Sequence, residues 1–227
     1  MIHPRANVIG RNVDLLFALL LLIVVYLFIV WIKVAVISND VDSILFPWVL
    51  AIPQILLFTY VFWLVRVKNV IQWKEMGFRS SRNKIYYVLS VFVMPLNLFV
   101  AFIYALTVVN LGMDKIIPPT IPADILGKGW MIAINMIVIA LFVPFIEEMF
   151  FRGYLLTRLS KGLGSPESII ASSVVFALMH GHAGLWVPVF ISSCLISILY
   201  LKSKSLYPCI LCHGLQNAVV SLVAASA

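Results

Sequence analysis

From Leu15 to Ile32 the chain runs for 18 residues without one charged or amide side chain. Lipid offers the backbone no hydrogen-bond partners, so a stretch of this length and character is stable there only as a helix, at ~20 residues per ~30 Å hydrocarbon core. Apolar runs recur near residues 13–36, 44–65, 85–109, 130–161, 168–183, 185–201 and 205–225. They predict an all-α, polytopic transmembrane helix bundle of about seven spans, within a range of six to eight. Hydrophobic residues make up 63% of the chain and charged residues 11%, against about 45–50% and 25% in soluble domains. The 227 residues leave no length for a separate soluble domain, so residues 1–227 are expected to form a single integral membrane domain. No small-residue cleavage site follows the first run, which is expected to be a retained span.

The charges give an orientation. Threaded through seven spans, all but Lys33, Lys115 and Lys128 of the 16 Lys and Arg residues fall on one side. Asp40, Asp42, Asp114 and Asp124 join those three on the other. The positive-inside rule then puts the N-terminus and the basic segment 66–84 in the cytoplasm of a cell-membrane protein. The net charge of +7 is thereby accounted for as a topology signal near anionic lipid, and nucleic-acid binding is not implied.

Against this apolar background Glu147, Glu148 and Arg152 stand out, because each charge at a helix centre costs roughly 2.5–3.5 kcal/mol on insertion scales. Glu147 lies 14 residues before Lys161, or ~21 Å along a helix. By the same measure His180, His213 and Asn217 reach a similar layer from two other spans. Glu148 and Arg152 are spaced i, i+4 with the acid first, the favourable order for a pair, while Glu147 projects about 100° away. His213 and Asn217 share a helix face, as do Phe176 and His180, where the phenyl ring can fix the imidazole.

In chain order, Glu147-Glu148-Met149-Phe150-Phe151-Arg152 reads EExxxR, Phe176-Ala177-Leu178-Met179-His180 reads FxxxH, and His213-Gly214-Leu215-Gln216-Asn217 reads HxxxN. These three motifs resemble those of the CPBP (Abi) family of intramembrane proteases, which includes CAAX prenyl endopeptidases and bacteriocin-processing proteins. The motif-bearing core would span residues 130–225.

The resemblance implies an intramembrane endopeptidase acting on a small membrane-associated peptide or CAAX-like protein. Glu147, Glu148, His180, His213 and Asn217 would form its catalytic set, supported by Arg152 and Phe176. Hydrolysis needs an activated water and a group to hold the oxyanion. Glu147 and His180 would activate the water, and His213 and Asn217 would receive the oxyanion. Glu147, His180 and His213 would alternatively make a zinc set with water in the fourth position. No HExxH is present to favour zinc, and no cofactor is required by the motifs, so both mechanisms stay open. The expected partners are a peptide or lipid-modified protein substrate and the bilayer. Two other functions fit the same chain: a bacteriocin self-immunity protein, and a non-catalytic membrane scaffold regulating a transporter or sensor kinase.

Three further features have plainer readings. Cys209-Ile210-Leu211-Cys212-His213 satisfies the C-x-x-C-H haem-attachment pattern, but within an apolar helix the cysteines read as small, reduced residues. His182 reads as an interhelical hydrogen-bonding group. Pro144, three residues before Glu147, predicts a kink where substrate would enter.

Overall fold

The computed structural model describes the backbone of residues 4–38, 46–121, 123 and 125–226. Asp40, Asp42, Pro122 and Asp124 lie outside the described residues, as do the side chains of Arg5, Arg11 and Lys33. Within them the chain forms seven helical segments, at the seven apolar runs: α1 (Pro4–Ser38), α2 (Phe46–Arg66), α3 (Ile85–Asn110), α4 (Trp130–Leu163), α5 (Ser165–Leu178), α6 (Ala183–Ser203) and α7 (Tyr207–Ser226). No strand occurs among the described residues.

Five of these helices, among the described residues, are long and apolar enough to cross a membrane: α1, α3, α4, α6 and α7. The apolar side chains on their outer faces, such as Phe92 at 67% exposure and Phe102 at 59%, are those a lipid environment accommodates. The runs 44–65 and 168–183 give the two helices outside these five, α2, with its apolar stretch at Ala51–Arg66, and α5. The latter has 14 residues, or ~21 Å. It stops because the chain turns at Gly181 in the left-handed region (φ +65°), and His182 caps α6 by accepting the Gly184 N–H at 3.1 Å. His182 is therefore a helix cap, which replaces the interhelical role expected for it.

α4 is the central helix, and every residue from Met149 to Leu156 on it is buried. On one side Leu22 and Val25 of α1 and Leu57, Val61 and Leu64 of α2 share a core with Ile146, Met149, Phe150 and Tyr154. On the other, Leu156 packs with Ile196, Leu199 and Tyr200 of α6 and Cys209 and Cys212 of α7. Both thiols are fully buried, so no porphyrin could reach them, and the haem reading of C-x-x-C-H falls away. Buried Ser192, Ser193 and Ser197 let α6 approach its neighbours closely.

The basic segments meet at one end of the bundle. Arg79 Nε donates to the Lys204 carbonyl at 3.0 Å, the Leu206 N–H donates to Gly77 O at 2.9 Å, and Lys161 pairs with Glu75 at 3.1 Å. At the other end the loop after α3 enters a 3-10 turn, Asp114–Ile116. There the Ile117 carbonyl lies so close to α6 that a side chain at Gly184 would stand 2.5 Å from it.

Candidate active site

α4 is not a uniform α-helix. Its hydrogen bonds slip to i→i−5 over Val138–Phe142 and again over Met149–Leu156, and such π-turns widen a helix and re-aim its side chains. Glu147 and Glu148 sit on the short α-helical stretch between the two.

The expected i, i+4 pair forms. Arg152 Nη1 donates to Glu148 Oε1 at 2.8 Å, with the arginine 1% and the glutamate 0% exposed. The remaining guanidinium bonds go to α6: Nη2 donates to Ser193 Oγ at 3.0 Å and to the Ser193 carbonyl at 3.3 Å. Phe176 of α5 covers the cation with its ring face, 4.6 Å from Cζ. A charge this deep is sustained by having its partners in place.

Glu148 Oε1 also receives His213. A carboxylate oxygen can only accept, so the imidazole donates through Nδ1–H, at 2.8 Å. That bond fixes the ring of His213 and directs Nε2 toward Glu147, whose Oε2 stands 3.7 Å away. The other oxygen of Glu147 accepts the Gln54 Nε2–H from α2 at 3.0 Å. Three helices thus hold the two adjacent carboxylates.

His180 lies just past the end of α5. Its Nδ1–H donates to the Phe176 carbonyl at 3.0 Å, and its ring meets the phenyl edge-on with centroids 5.0 Å apart. Phe176 also contacts the His213 ring edge-on at 5.9 Å, so one aromatic side chain locates Arg152 and both histidines. The imidazole of His213 faces Glu147, a contact the sequence reading did not draw.

Asn217 answers a different need. In the first π-turn the Val143 N–H bonds to Val138 O. The Ile139 carbonyl would next take the N–H of residue 144, but Pro144 has none. Asn217 Nδ2 fills that place, donating to Ile139 O at 3.1 Å. Pro144 also withholds the α-helical partner of Ala140 O, and it is against this oxygen that Gly214 packs; a Cβ there would overlap it. The proline thus exposes two carbonyls, and α7 docks on both. Gly214→Ala is expected to cost about 1–3 kcal/mol as an overpacked contact, read as a lower thermal unfolding midpoint in detergent; an unchanged midpoint would show that the α4–α7 contact yields.

The comparison with protein families agrees with this arrangement. Residues 129–219 match the family described as type II CAAX prenyl endopeptidase Rce1-like. The likeness to CAAX proteases is confined to that segment of the chain. Glu147, Glu148, Arg152, Phe176, His180, His213 and Asn217 all fall within the matched residues. Comparison with curated proteins and with solved structures returned no match. The match to a membrane endopeptidase family and the five helices long and apolar enough to cross a membrane agree with an integral membrane protein.

Sequence reasoning missed Gln54, Ser193 and the use Asn217 makes of Ile139. Gln54 carried a signal, being the one side-chain amide in the run 44–65. As to zinc, among the described residues no group of three His, Cys, Asp or Glu side chains is gathered to hold a metal ion. Glu147 and His213 approach each other, Oε2 to Nε2, at 3.7 Å.

Proposed function

We propose that the chain hydrolyses a peptide bond within the bilayer by a glutamate mechanism. The observation that carries this is the relay Glu148–His213–Glu147, with Nδ1 of His213 held at 2.8 Å and Nε2 facing the second carboxylate at 3.7 Å. It has the logic of an oriented imidazole beside a reacting group. A water between Glu147 Oε2 and His213 Nε2 loses a proton to Glu147 as its oxygen bonds to the scissile carbonyl carbon. The π electrons of the carbonyl move to its oxygen. The second N–H of Asn217 supplies a donor for that oxyanion, as does Nε2 of His180 in its doubly protonated form, with Nδ1–H kept on the Phe176 carbonyl. When the carbonyl reforms, the C–N bond breaks and the proton on Glu147 passes to the leaving nitrogen. Glu148 and Arg152 position His213 and do not touch substrate.

A lipid-modified substrate fits the surroundings. An apolar cavity of about 460 Å³ lies between α1, α5 and α6, lined by Leu19, Leu22, Ile23, Val175, Met179 and Trp186, and Met179 adjoins His180. Its size is that of ordinary ligand pockets. We assign the end of the bundle bearing segment 66–84 to the cytoplasm, on the positive-inside rule.

The test is cleavage by the purified protein in liposomes of a prenylated CAAX peptide and its unmodified twin. Faster cleavage of the prenylated peptide is expected, with loss of about 10²–10⁴ in kcat for His213→Ala and no effect of chelators. Chelator-sensitive activity restored by zinc would replace the mechanism. Cleavage of neither peptide would overturn the protease reading.

A further inference from the structure

We propose that Gln54 is a positioning residue for Glu147, its amide serving the carboxyl in both protonation states of the cycle; this rests on the glutamate mechanism above. Gln54 lies on α2, outside the family-matched residues 129–219, and is 5% exposed. It spends its Nε2–H on Glu147 Oε1, at 3.0 Å. Its own Oε1 is buried and has no hydrogen-bond partner among the described residues. A buried amide acceptor left unpaired carries its full desolvation penalty, so its presence beside the reacting carboxylate calls for a reason.

The chemistry of the hydrolysis supplies one. Before the reaction Glu147 is a carboxylate and can only accept, which requires the NH₂ side of the amide to face it. When the proton of water arrives on Oε2, the oxygen that faces His213 Nε2, Oε1 becomes the carbonyl oxygen of the acid and still accepts the Gln54 N–H. One orientation of the amide, with its own oxygen left unpaired, therefore serves both states without moving α2. Glu147 Oε2 stays directed at His213 in both states, because the amide holds the other oxygen. A leucine would serve neither state, and a carboxylate at 54 would set acceptor against acceptor at Oε1 in both.

The experiment compares Gln54→Leu and Gln54→Glu with wild type, measuring kcat and KM for peptide cleavage in liposomes and the infrared carboxyl and carboxylate bands of Glu147, assigned by their loss in Glu147→Gln. Both substitutions are expected to lower kcat about 10- to 100-fold, the worth of a hydrogen bond to a charged group, with KM within about threefold. The Glu147 bands are expected to shift in Gln54→Leu. A kcat within twofold of wild type, or a rise in KM alone, would overturn the proposal. Should Gln54→Leu fail to fold, the near-isosteric Gln54→Glu carries the same readouts. If the wild-type protein cleaves nothing while the bands still shift, the protease reading fails and the Gln54–Glu147 pairing stands; unmoved bands remove the pairing itself.

Discussion

Glu147→Gln is expected to reduce peptide cleavage about 10²–10⁴-fold while leaving the protein folded. The substitution keeps the shape of the side chain, so the packing of α4 against α2 is preserved. What it removes is the ability to take a proton from water. The amide at 147 can still meet Gln54 through its carbonyl, since Gln54 Nε2 already donates at that point. It cannot exchange a proton with a water shared by His213 Nε2, which faces the other oxygen of Glu147. The buried pair Glu148–Arg152 is untouched, so the unfolding midpoint should move little. Single-turnover kinetics with the prenylated peptide separates binding from chemistry: kcat should collapse with KM nearly constant. A Glu147→Gln protein retaining a tenth of wild-type kcat would remove Glu147 from the reaction and leave His213 with Glu148 as the base.

The places where the sequence could be read, and where it could not, divide along physical lines. Helix positions follow from apolar length, which one chain segment reveals by itself. The Glu148–Arg152 pair is equally local, because i, i+4 spacing on a helix nearly determines contact. α5 deceived the reading because residues 168–183 are apolar almost throughout, while its end is set by the left-handed turn at Gly181 and the His182 cap. Those two residues look like motif neighbours and act as punctuation. Asn217 was legible as a polar group facing the site but not as the answer to Ile139 O. A proline signals a broken ladder without saying which distant side chain repairs it, here one 78 residues from Ile139. Gln54 lies 93 residues from Glu147, and nothing local ties the two together. The contact of His213 with Glu147 has the same origin. Depth along a helix places His213 in the layer of Glu147, but whether it faces the carboxylate depends on helix rotation, and the π-turns of α4 change that rotation.

Arg152→Met is expected to destabilise the bundle by about 3–5 kcal/mol, the cost of stripping one member from a buried pair. The guanidinium joins three elements: it neutralises Glu148 on α4, binds the Ser193 hydroxyl and carbonyl on α6, and lies under the Phe176 ring of α5. Methionine matches the apolar stem but leaves Glu148 as a carboxylate without its counter-charge, beside Glu147. The hydroxyl of Ser193 loses a partner at the same time. Most of the penalty is the stranded charge, which makes a sharper test available. Glu148→Leu combined with Arg152→Met removes both charges and should regain much of the unfolding midpoint lost in Arg152→Met, because well-packed apolar groups replace buried ion pairs at little net cost. Cleavage should not return with it. His213 Nδ1 would then have lost the acceptor that orients the ring, and Nε2 would no longer be held toward Glu147. The two variants therefore separate stability from positioning: midpoint recovered and activity absent in the double variant supports the assignment of Glu148 and Arg152 as the frame of the relay. A double variant as unstable as Arg152→Met alone would place the stabilisation in the Ser193 and Phe176 contacts instead. A double variant that cleaves peptide at the wild-type rate would show that His213 needs no carboxylate to orient it.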